Sequence, residues 1–532
     1  MSAQSSFQQS TEVEIVHATS CGPAALWLGL LRRMRLRGTI DALCPTESPI
    51  SNGTLAELLV LNRLLSPKPL VHIGRWVGDS GLDVLLGLDP SHVNDDRIGR
   101  MLDALAPRTA DAQATVSTHV VRTFDVAVDD VQYDTTAAYL EGNYEDSDLA
   151  ARGHSKDHRP DLKQVKLALA TSVDGQIPLT HLTLPGNTGD VVTVPATLAA
   201  LRAQWPTTPV VISGDGVMWS RENQDVVARA GGVFLGPIAM IPPVLKWVCD
   251  AEPDDEVTVQ LTGKHKPVIY FAKVVDRYTV DGVAAAGARL VVLDPRRAAD
   301  ERQERAQALI RYEVALTDIA ARLNTGRLRR RADIVKRLAG LAKRHGLAAK
   351  FVDVAVDGEE GLYTLRWTRR DSDLEAALRR DGRWPLVTNR SGMSDEELCR
   401  WAVRRYKLHG KIERDMHLVK GPLRVRPLFV QNDDRIRALM AICVWALTAW
   451  TLLERQGRKA LPPKHKNVVP CRVRLETLVS MLAIVTWRVG DDATLRRSVT
   501  KLPPRVASEL REIGWLREIR DLLDVAGRQP PS

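Results

Sequence analysis

The order of predicted strands and helices between residues 116 and 240 constrains the fold more than any other feature of this sequence. Segments rich in Val and aromatic residues predict strands, and helical spacing of apolar residues predicts helices. The predicted elements are, in order, strands at Thr123–Asp134, Lys163–Ser172 and Gln176–Leu184, a helix at Val194–Trp205, a strand at Val210–Ser213, a helix after Ser220, and a strand at Val233–Ile238. The strand at Val210–Ser213 is short and continuously apolar, which is typical of burial on both faces.

Three consecutive strands followed by helix, strand, helix and strand is the order of the ribonuclease-H-like fold, so we expect an α/β catalytic domain of that kind. Asp134 ends the first predicted strand, and Asp215 follows the fourth. Because sites in open α/β sheets form at the carboxyl ends of strands, we expect these carboxylates side by side. The alternative for each is a structural role, and the glycines on either side of Asp215 favour a simple turn.

The stretch from Tyr406 to Lys420 supplies a third carboxylate, Glu413. This stretch is predicted to be the second half of one long helix from Ser394 to Lys420, because its residue types favour a helix. On a helix with 3.6 residues per turn, Tyr406, His409, Glu413 and Lys420 fall within about 60° of one another. This stripe suits a site that binds phosphate and metal, and it equally suits a solvated helix face.

The remaining sequence predicts flanking and inserted regions. The expected organisation is a helical N-terminal domain (1–115), a catalytic domain in two parts (116–240 and 391–456), a large α+β insertion (241–390), and a helical C-terminal region (457–532). The N-terminal helices, predicted at Ala24–Arg37, Leu55–Leu65 and His92–Leu105, suit either a DNA-binding module or a packing domain. The apolar run Ala438–Leu453 is short for a membrane span and predicts a buried core helix.

Charge and cysteine usage narrow the class of protein. The net charge is +9, and the predicted helix Arg327–His345 carries a basic run, with Arg329, Arg330 and Arg331 near its start. A basic balance favours nucleic acid as a partner, although a charge run is also typical of a solvated face. The six Cys lie far apart without a C-x-x-C motif, and the N-terminus lacks the pattern of a signal peptide. These features predict a cytoplasmic protein with no structural zinc site.

Several separate motifs carry a resemblance to a known family. They are the third motif at Tyr406, His409, Glu413 and Lys420, Tyr133-Asp134-Thr135-Thr136, the stretch from Gly153 to Gln164, Pro185–Asp190, and Gly214-Asp-Gly with Glu222-Asn223. Through these motifs the sequence resembles the DDE transposases of bacterial insertion sequences, specifically the insertion-sequence-four type. The resemblance extends from about residue 20 to residue 456.

The resemblance implies an activity, cofactors and partners. Asp134, Asp215 and Glu413 would bind two Mg²⁺ ions, with Mn²⁺ able to substitute, and would catalyse strand cleavage and strand transfer in cut-and-paste transposition. The expected partners are double-stranded DNA at the terminal inverted repeats and the target, and a second copy of the chain on that DNA. No membrane is expected, and a bacterial, nucleoid-associated location is implied.

Two positions qualify this expectation. His409 stands where the family has Arg, and a neutral imidazole cannot reproduce a bidentate guanidinium contact with phosphate. Trp384 matches, by position, a Trp on which some members stack a flipped base, and its alternative is a core residue. Tyr406 and Lys420 would contact phosphate, as would Arg329, Arg330 and Arg331.

Two other functions compete with a DNA transposase. One is a catalytically weakened or domesticated DNA-binding protein derived from a transposase, which the three intact carboxylates disfavour. The other is a glycosidase with paired carboxylates, which the basic balance and the aromatic content of 5% disfavour.

Overall fold

A computed structural model describes residues 13–153, 159–208, 210–251, 256–261, 267–408, 410–421, 423, 430, 432–460, 471–489, 496–512, 514 and 516–527. The chain forms two compact units, one built from residues 1–212 and 409–532 and the other from residues 213–408. Both contain helices and strands, which confirms the prediction of a mixed α/β protein.

The helices of the described residues, in chain order, are α1 (Gly22–Arg33), α2 (Leu36–Leu43), α3 (Asn52–Leu65), α4 (Ile73–Asp79), α5 (Leu82–Leu86), α6 (Asp95–Leu105), α7 (Thr109–Phe124), α8 (Thr193–Gln204), α9 (Arg221–Arg229), α10 (Pro242–Asp250), α11 (Pro295–Ala320), α12 (Arg331–Arg344), α13 (Gly346–Ala349), α14 (Asp371–Arg380), α15 (Asp395–Tyr406), α16 (Gly410–Lys420), α17 (Asp433–Ala460), α18 (Cys471–Val479), α19 (Pro504–Glu512) and α20 (Leu516–Gly527).

The strands of the described residues are β1 (Val13–Ser20), β2 (Asp130–Tyr139), β3 (Gln164–Ser172), β4 (Pro178–Pro185), β5 (Val211–Ser213), β6 (Val233–Gly236), β7 (Val257–Leu261), β8 (Val268–Val280), β9 (Val283–Leu293), β10 (Val352–Asp357), β11 (Thr364–Arg369), β12 (Arg383–Thr388), β13 (Ala483–Val489) and β14 (Arg496–Val499). Strands β2 to β6 and helices α8 and α9 follow one another in the predicted order.

The core of the first unit surrounds α17. This helix is long and apolar enough to cross a membrane, with a mean hydropathy of 1.8 over its most apolar window, but 89% of that window is buried inside the protein. The N-terminal helices α1, α3, α6 and α7 pack against it. In this core the indole Nε1 of Trp445 donates to Gln113 Oε1 at 3.0 Å. The prediction of a buried core helix is therefore confirmed.

A sheet in the first unit contains the first strands predicted for the catalytic domain. β2 pairs antiparallel with β3, and β3 pairs antiparallel with β4. Asp134 lies opposite Leu169 in this register, and Leu169 lies opposite His181. β5 neighbours β2, where the backbone N–H of Val211 donates to the carbonyl of Asp129 at 2.9 Å.

A second sheet joins the two ends of the chain and corrects the prediction that both termini are helical. β1 runs antiparallel to β13, with Val13 opposite Val489 and Ser20 opposite Ala483, and β13 pairs with β14. The partners are 463 to 476 residues apart in sequence, so local patterns carry little information about them. The predicted linker at Pro462–Lys466 lies outside the described residues.

The second unit contains its own sheet and core. The strand order is β6-β12-β9-β8-β7, and the four pairs between these strands are antiparallel. Helix α15 packs on this sheet through Leu398, Cys399 and Ala402, which are buried. A separate cluster holds α11, α12 and α13 against the hairpin of β10 and β11.

The hairpin of β8 and β9 is longer than predicted. The sequence pattern predicts strands at Lys266–Val275 and Arg289–Asp294, whereas the structure extends both towards a two-residue turn of Asp281 and Gly282. Both turn residues have positive φ, 49° and 76°, as a type I′ turn requires. The predicted turn around Gly263–Lys266 falls outside the described residues.

Candidate active site

Asp134 lies in the middle of β2, which corrects its predicted place at a strand end. The sequence pattern begins this strand at Thr123, but α7 continues to Phe124. Phe124 is buried in the core, and Asp125 ends the helix with a φ of 50°, so these residues belong to the helix and its cap. The Asp134 side chain is 9% exposed, and its Oδ1 accepts from the backbone N–H of Thr135 at 2.7 Å.

The residue after Asp134 joins a charged network. Thr135 Oγ1 donates to Asp190 Oδ1 at 2.7 Å, and Lys166 Nζ lies 2.6 Å from the same oxygen. Lys166 also donates to the carbonyl of Thr188. Lys166 and Asp190 are only 14% and 21% exposed, so water screens their attraction weakly. This network fixes the backbone beside Asp134.

Tyr133, the residue before Asp134, forms a hydrogen bond with a different element. The Tyr133 hydroxyl donates to Thr193 Oγ1 at 2.5 Å, at the start of α8. Burial raises the pKa of Tyr133 to about 12, so the phenol stays protonated at neutral pH. Both neighbours of Asp134 are therefore held by side chains from other elements.

The sequence motifs around residues 153, 164 and 186 meet in the first unit. Gln164 Nε2 donates to the carbonyl of Gly186 at 3.0 Å. A Cβ on Gly186 would lie 2.0 Å from the carbonyl oxygen of Gln164, and a Cβ on Gly153 would lie 2.3 Å from that of Gly186. The close backbone approach therefore requires glycine at both positions. Residues 154–158, also part of this motif, lie outside the described residues.

Glu413 lies on α16, in the same unit as Asp134. The predicted single helix Ser394–Lys420 is wrong, because α15 ends at Tyr406 and α16 begins at Gly410. The break coincides with the passage of the chain from one compact unit to the other, and each helix packs into the core of its own unit. The start of the predicted helix is confirmed, since Ser394 forms a capping box with Glu397.

Helix α16 contacts β2, the strand that carries Asp134. Ile412, Met416 and Val419 anchor this helix in the core, while Glu413 is exposed in its first turn. The packing of α16 on β2 places the elements that bear Asp134 and Glu413 next to each other.

The other members of the predicted stripe are distributed over both units. Tyr406 is half-buried at the end of α15 and packs against the core of the second unit. Lys420 is half-buried at the end of α16. His409 lies outside the described residues. Tyr406 therefore does not share a helix with Glu413 and Lys420, and the predicted roles of these residues remain predictions.

Asp215 lies in the second unit, in the loop after β5. It is exposed, and its Oδ1 accepts from the backbone N–H of Gly216 at 2.6 Å at the start of a short 3₁₀ turn. Its carboxylate is thus oriented by its own turn.

Side chains of α9 brace this loop from behind. Asn223 Nδ2 donates to the carbonyl of Met218 at 2.7 Å, and Gln224 Nε2 donates to that of Trp219 at 3.0 Å. Ser220 caps α9 by accepting from the backbone N–H of Asn223, as predicted. The loop that carries Asp215 is therefore fixed by buried amides.

The donor chemistry of the three carboxylates decides whether they suit a metal ion. Among the described residues, no group of three or more His, Cys, Asp and Glu side chains is placed to hold a metal ion. Mg²⁺ is commonly bound by one or two carboxylates plus phosphate and water, so a three-residue group is not required. Asp134 and Glu413 have the hard oxygen donors that Mg²⁺ prefers, and they lie on contacting elements.

The basic run of the second unit is exposed, as a nucleic-acid contact requires. The predicted helix at residues 327–345 begins later than expected, because Gly326–Arg329 forms a 3₁₀ turn and Arg330 is extended, so that α12 starts at Arg331. Arg329, Arg330 and Arg331 are exposed, and in the described part of the chain none lies within 4 Å of a carboxylate.

Trp384 lies on β12 and is partly buried. Tyr270 packs edge-on against its ring at a centroid distance of 6.0 Å, and Lys407 Nζ lies 4.3 Å from the ring centroid. A base that stacked on this face would have to displace Lys407. Its role in base stacking remains a prediction.

Sequence reasoning missed the residues that support the two aspartates. Lys166 interrupts the apolar pattern of a strand buried on both faces, and that interruption is an available signal. Asn223 belongs to one of the sequence motifs, but the motif does not reveal the support that this residue gives to the Asp215 loop.

Comparison with known proteins adds two findings. Residues 23–114 match a family described as a domain of unknown function (DUF4277). One solved structure similar to this chain is the cryo-EM structure of the piggyBac transposase synaptic complex with hairpin DNA, with 9% sequence identity, a TM-score of 0.37, and coverage of 96% of this chain and 88% of that chain. No curated protein matches the chain. The family match covers only the N-terminal helices, and a structural similarity of this size does not establish a shared fold or function.

Proposed function

We propose that the protein is a DNA transposase of the DDE class and the insertion-sequence-four type, with a ribonuclease-H-like catalytic domain. The observation that carries the proposal is the packing of α16, with Glu413, against β2, with Asp134. Around β2, described residues of three sequence motifs meet: Thr135 donates to Asp190, and Gln164 and Gly153 each lie close to Gly186.

Asp134, Asp215 and Glu413 are proposed to hold Mg²⁺, which would supply Lewis-acid activation and charge neutralisation at a scissile phosphate. The chain's own contribution is to orient these carboxylates. The Thr135–Asp190–Lys166 network fixes the backbone at Asp134, and the amides of Asn223 and Gln224 fix the loop at Asp215.

DNA contact is proposed for the exposed basic residues. Arg329, Arg330 and Arg331 offer guanidinium groups that suit phosphate oxygens. Lys420 and His409, near Glu413 in sequence, would contact the phosphates of the strand being cut, and Tyr406 would contribute a hydrogen bond. A second copy of the chain is proposed to join on DNA, so that two ends can be cut together. We propose a cytoplasmic, nucleoid-associated location in a bacterium.

The reactions proposed are exchanges of phosphodiester bonds. Water attacks phosphorus at the end of the element and releases a 3′-hydroxyl, and a freed 3′-hydroxyl later attacks phosphorus in the target strand. Each step forms one P–O bond and breaks another, so no external energy source is needed.

The test uses the full-length protein and a DNA fragment that carries its gene with several hundred flanking base pairs. We expect breaks at fixed positions on both sides of the gene in the presence of Mg²⁺, and none with EDTA. A fragment of equal length without the gene's flanks is the control. Binding to the flanks without any cleavage in Mg²⁺ or Mn²⁺ would refute the catalytic proposal and leave a DNA-binding protein.

A further inference from the structure

The N-terminal helices line an open cavity, and none of the three proposed metal-binding carboxylates is among its lining residues. It has a volume of about 690 Å³ and lies among α1, α2, α3 and α7 in the first unit. That volume falls within the range of about 300–1,000 Å³ that is typical of small-molecule sites. The cavity lies within the segment that matches the domain of unknown function, apart from the part contributed by His119 and Thr115 of α7.

Three arginines line the cavity at its exposed side. Arg32 lies in the last turn of α1, Arg37 lies on α2, and Arg35 lies between the two helices with a φ of 53°. The helix predicted to run unbroken from Ala24 to Arg37 is interrupted at this point, and the interruption brings the three arginines to one opening. Within the described residues, the one carboxylate within 4 Å of any of them is that of Asp41, 3.7 Å from Arg37 Nε.

Both carboxylate oxygens of Asp41 already accept hydrogen bonds from other residues of the protein. Its Oδ1 accepts from the backbone N–H of Gly53 at 2.6 Å, and its Oδ2 accepts from Ser51 Oγ at 3.1 Å. The arginines therefore have capacity left for an anion. Arginine is the side chain best suited to bind phosphate, because its planar fork matches two phosphate oxygens.

Glu57 of α3 lines the same cavity. The arginines can bind an anion, whereas the Glu57 carboxyl needs a hydrogen-bond donor. Its side chain is 1% exposed, and within the described residues its Oε1 has no hydrogen-bond partner. A buried carboxyl oxygen without a donor costs free energy, unless a ligand supplies one. Burial raises the pKa of Glu57 to about 7, despite the opposing effect of Arg37 and Arg32, so a donor from a ligand would stabilise its charged form.

We propose that this cavity binds a nucleoside monophosphate, either free or as an unpaired nucleotide of a DNA strand. The phosphate lies at Arg32, Arg35 and Arg37, and the amino-bearing edge of the base lies at Glu57. Guanine is the best match, because its N1–H and N2–H₂ are adjacent donors that suit the two oxygens of one carboxylate. Thymine offers a single donor between two carbonyl oxygens, which a carboxylate repels.

His119 supplies an aromatic ring to the wall. Its Nε2 lies 3.0 Å from the carbonyl oxygen of Arg33 and 3.0 Å from Thr123 Oγ1, so the ring is held in place. Bases stack on His rings and on Arg guanidinium planes in single-stranded nucleic-acid sites. Inorganic phosphate alone would satisfy the arginines and leave Glu57 without a donor.

The first test is calorimetric titration of the full-length protein with dGMP, dTMP and inorganic phosphate. We expect dGMP to bind at least tenfold more tightly than dTMP, and dTMP to bind no better than phosphate. Equal affinities for dGMP and dTMP would overturn the assignment of Glu57, and no detectable dGMP binding at millimolar concentration would overturn the site.

Glu57→Gln tests the base contact with little change in size. The new amide places a donor against a donor of guanine, so dGMP should bind about tenfold to a hundredfold more weakly while phosphate binding is unchanged. A matched loss for dGMP and phosphate would contradict the proposed orientation.

Gly38→Leu tests the cavity itself. A Cβ on Gly38, in α2, meets no atom within 4 Å, so a larger side chain can enter the cavity without breaking the helix. We expect loss of dGMP binding with an unchanged melting temperature. Gly340→Leu is the matched control, since Gly340 lies on α12 and its Cβ also meets no atom within 4 Å. Unchanged dGMP binding in Gly38→Leu would overturn the site.

Two DNA duplexes distinguish the source of the nucleotide. One is fully paired, and the other is identical except for a single unpaired dG. Tighter binding of the bulged duplex that disappears in Gly38→Leu assigns the site to a nucleotide within DNA, whereas dGMP binding with equal affinity for both duplexes assigns it to free nucleotide. Neither result depends on DNA cleavage, so the experiment tests the proposed nucleotide site independently of the proposed transposase activity.

Discussion

Asp134 and Asp215 are similar in sequence context but are held in different ways. Asp134 lies within a strand, is nearly buried, and is flanked by residues that bond to distant elements. Asp215 lies in a loop, is exposed, and bonds to the next residue in its own turn. The first is positioned by non-local contacts and the second by a local turn braced from behind.

This difference indicates where each carboxylate is vulnerable. The surroundings of Asp134 depend on a partly buried ion pair, and breaking such a pair leaves one charge poorly solvated. The loop of Asp215 depends on neutral amides that satisfy backbone carbonyls, and each of these is worth less.

The largest effect on stability is expected at the ion pair beside Asp134. Asp190→Asn leaves Lys166 without its carboxylate and should cost about 3 kcal/mol, somewhat below the loss for a fully buried pair. Urea denaturation measures this loss. Asp161→Asn is the control, because the Arg159–Asp161 pair is exposed and should contribute little. Equal losses in the two variants would contradict the contrast.

Glu57 is a third carboxyl to compare with the two aspartates. It is buried, and its Oε1 has no hydrogen-bond partner among the described residues. We therefore expect the free energy of unfolding to depend on pH through this group. Its pKa is about 7 when folded and near 4.5 when unfolded, so the folded state binds the proton more tightly. Stability due to this group is full below about pH 4.5 and is lost as pH rises through 7, by about 3 kcal/mol at most. Arg32, Arg37 and Asp41 are the charged groups that influence it.

The measurement compares chemical denaturation at pH 5 and pH 8. Glu57→Gln should remove this part of the dependence and narrow the gap between the two pH values. A gap of the same size in the variant would show that Glu57 titrates normally.

A smaller effect is expected where Asn223 braces the Asp215 loop. Asn223→Ala leaves the buried carbonyl of Met218 without its donor and should cost about 1–2 kcal/mol. DNA cleavage should fall by about tenfold or more because Asp215 is positioned less precisely, while DNA affinity is retained. The control is Asn143→Ala, since Asn143 is exposed and bonds to Glu145 nearby. Full cleavage activity in Asn223→Ala would mean that the loop needs no brace.

The smallest effect on folding is expected from the basic run, because Arg329, Arg330 and Arg331 are exposed. Changing Arg329, Arg330 and Arg331 together to Gln should reduce the slope of log affinity against log salt by about 0.9 for each phosphate that these residues neutralise. Binding to a 20-base-pair duplex across a salt series measures this slope. The matched control changes Arg366, Arg369 and Arg370, which are paired with Asp357, Glu313 and Asp353. An equal slope in both triple variants would exclude a specific role for the run.

Elements with strong local signals could be predicted from the sequence. The strands β3 and β4, the cap at Ser220 and the buried helix α17 each follow from patterns within a single segment. The hairpin turn at Asp281-Gly282 also has a local signal, since this dipeptide favours a type I′ turn, although the predicted strands stop short of it.

Features that depend on distant partners could not be predicted. The pairing of β1 with β13 joins the two ends of the chain, and the break between α15 and α16 reflects two separate cores. In the candidate site, motifs point to Asp134, Asp215 and Glu413. The position of Lys166 in an apolar strand marks it as unusual, but its partner Asp190 could not be predicted, and neither could the position of Glu57 beside the arginines, because only the fold brings these residues together.

The most direct test of the proposed site replaces each carboxylate with a softer ligand. Asp134→Cys, Asp215→Cys and Glu413→Cys are assayed on DNA carrying the gene and its flanks, in Mg²⁺ and in Mn²⁺. A thiolate binds Mg²⁺ poorly and Mn²⁺ better, because Mg²⁺ is the harder cation. We predict cleavage by the parent protein in both metals, no cleavage by the variants in Mg²⁺, and partial recovery in Mn²⁺. Cleavage at the parental rate in Mg²⁺, or no recovery in Mn²⁺ by any of the three variants, would contradict the proposed metal-binding role of these residues.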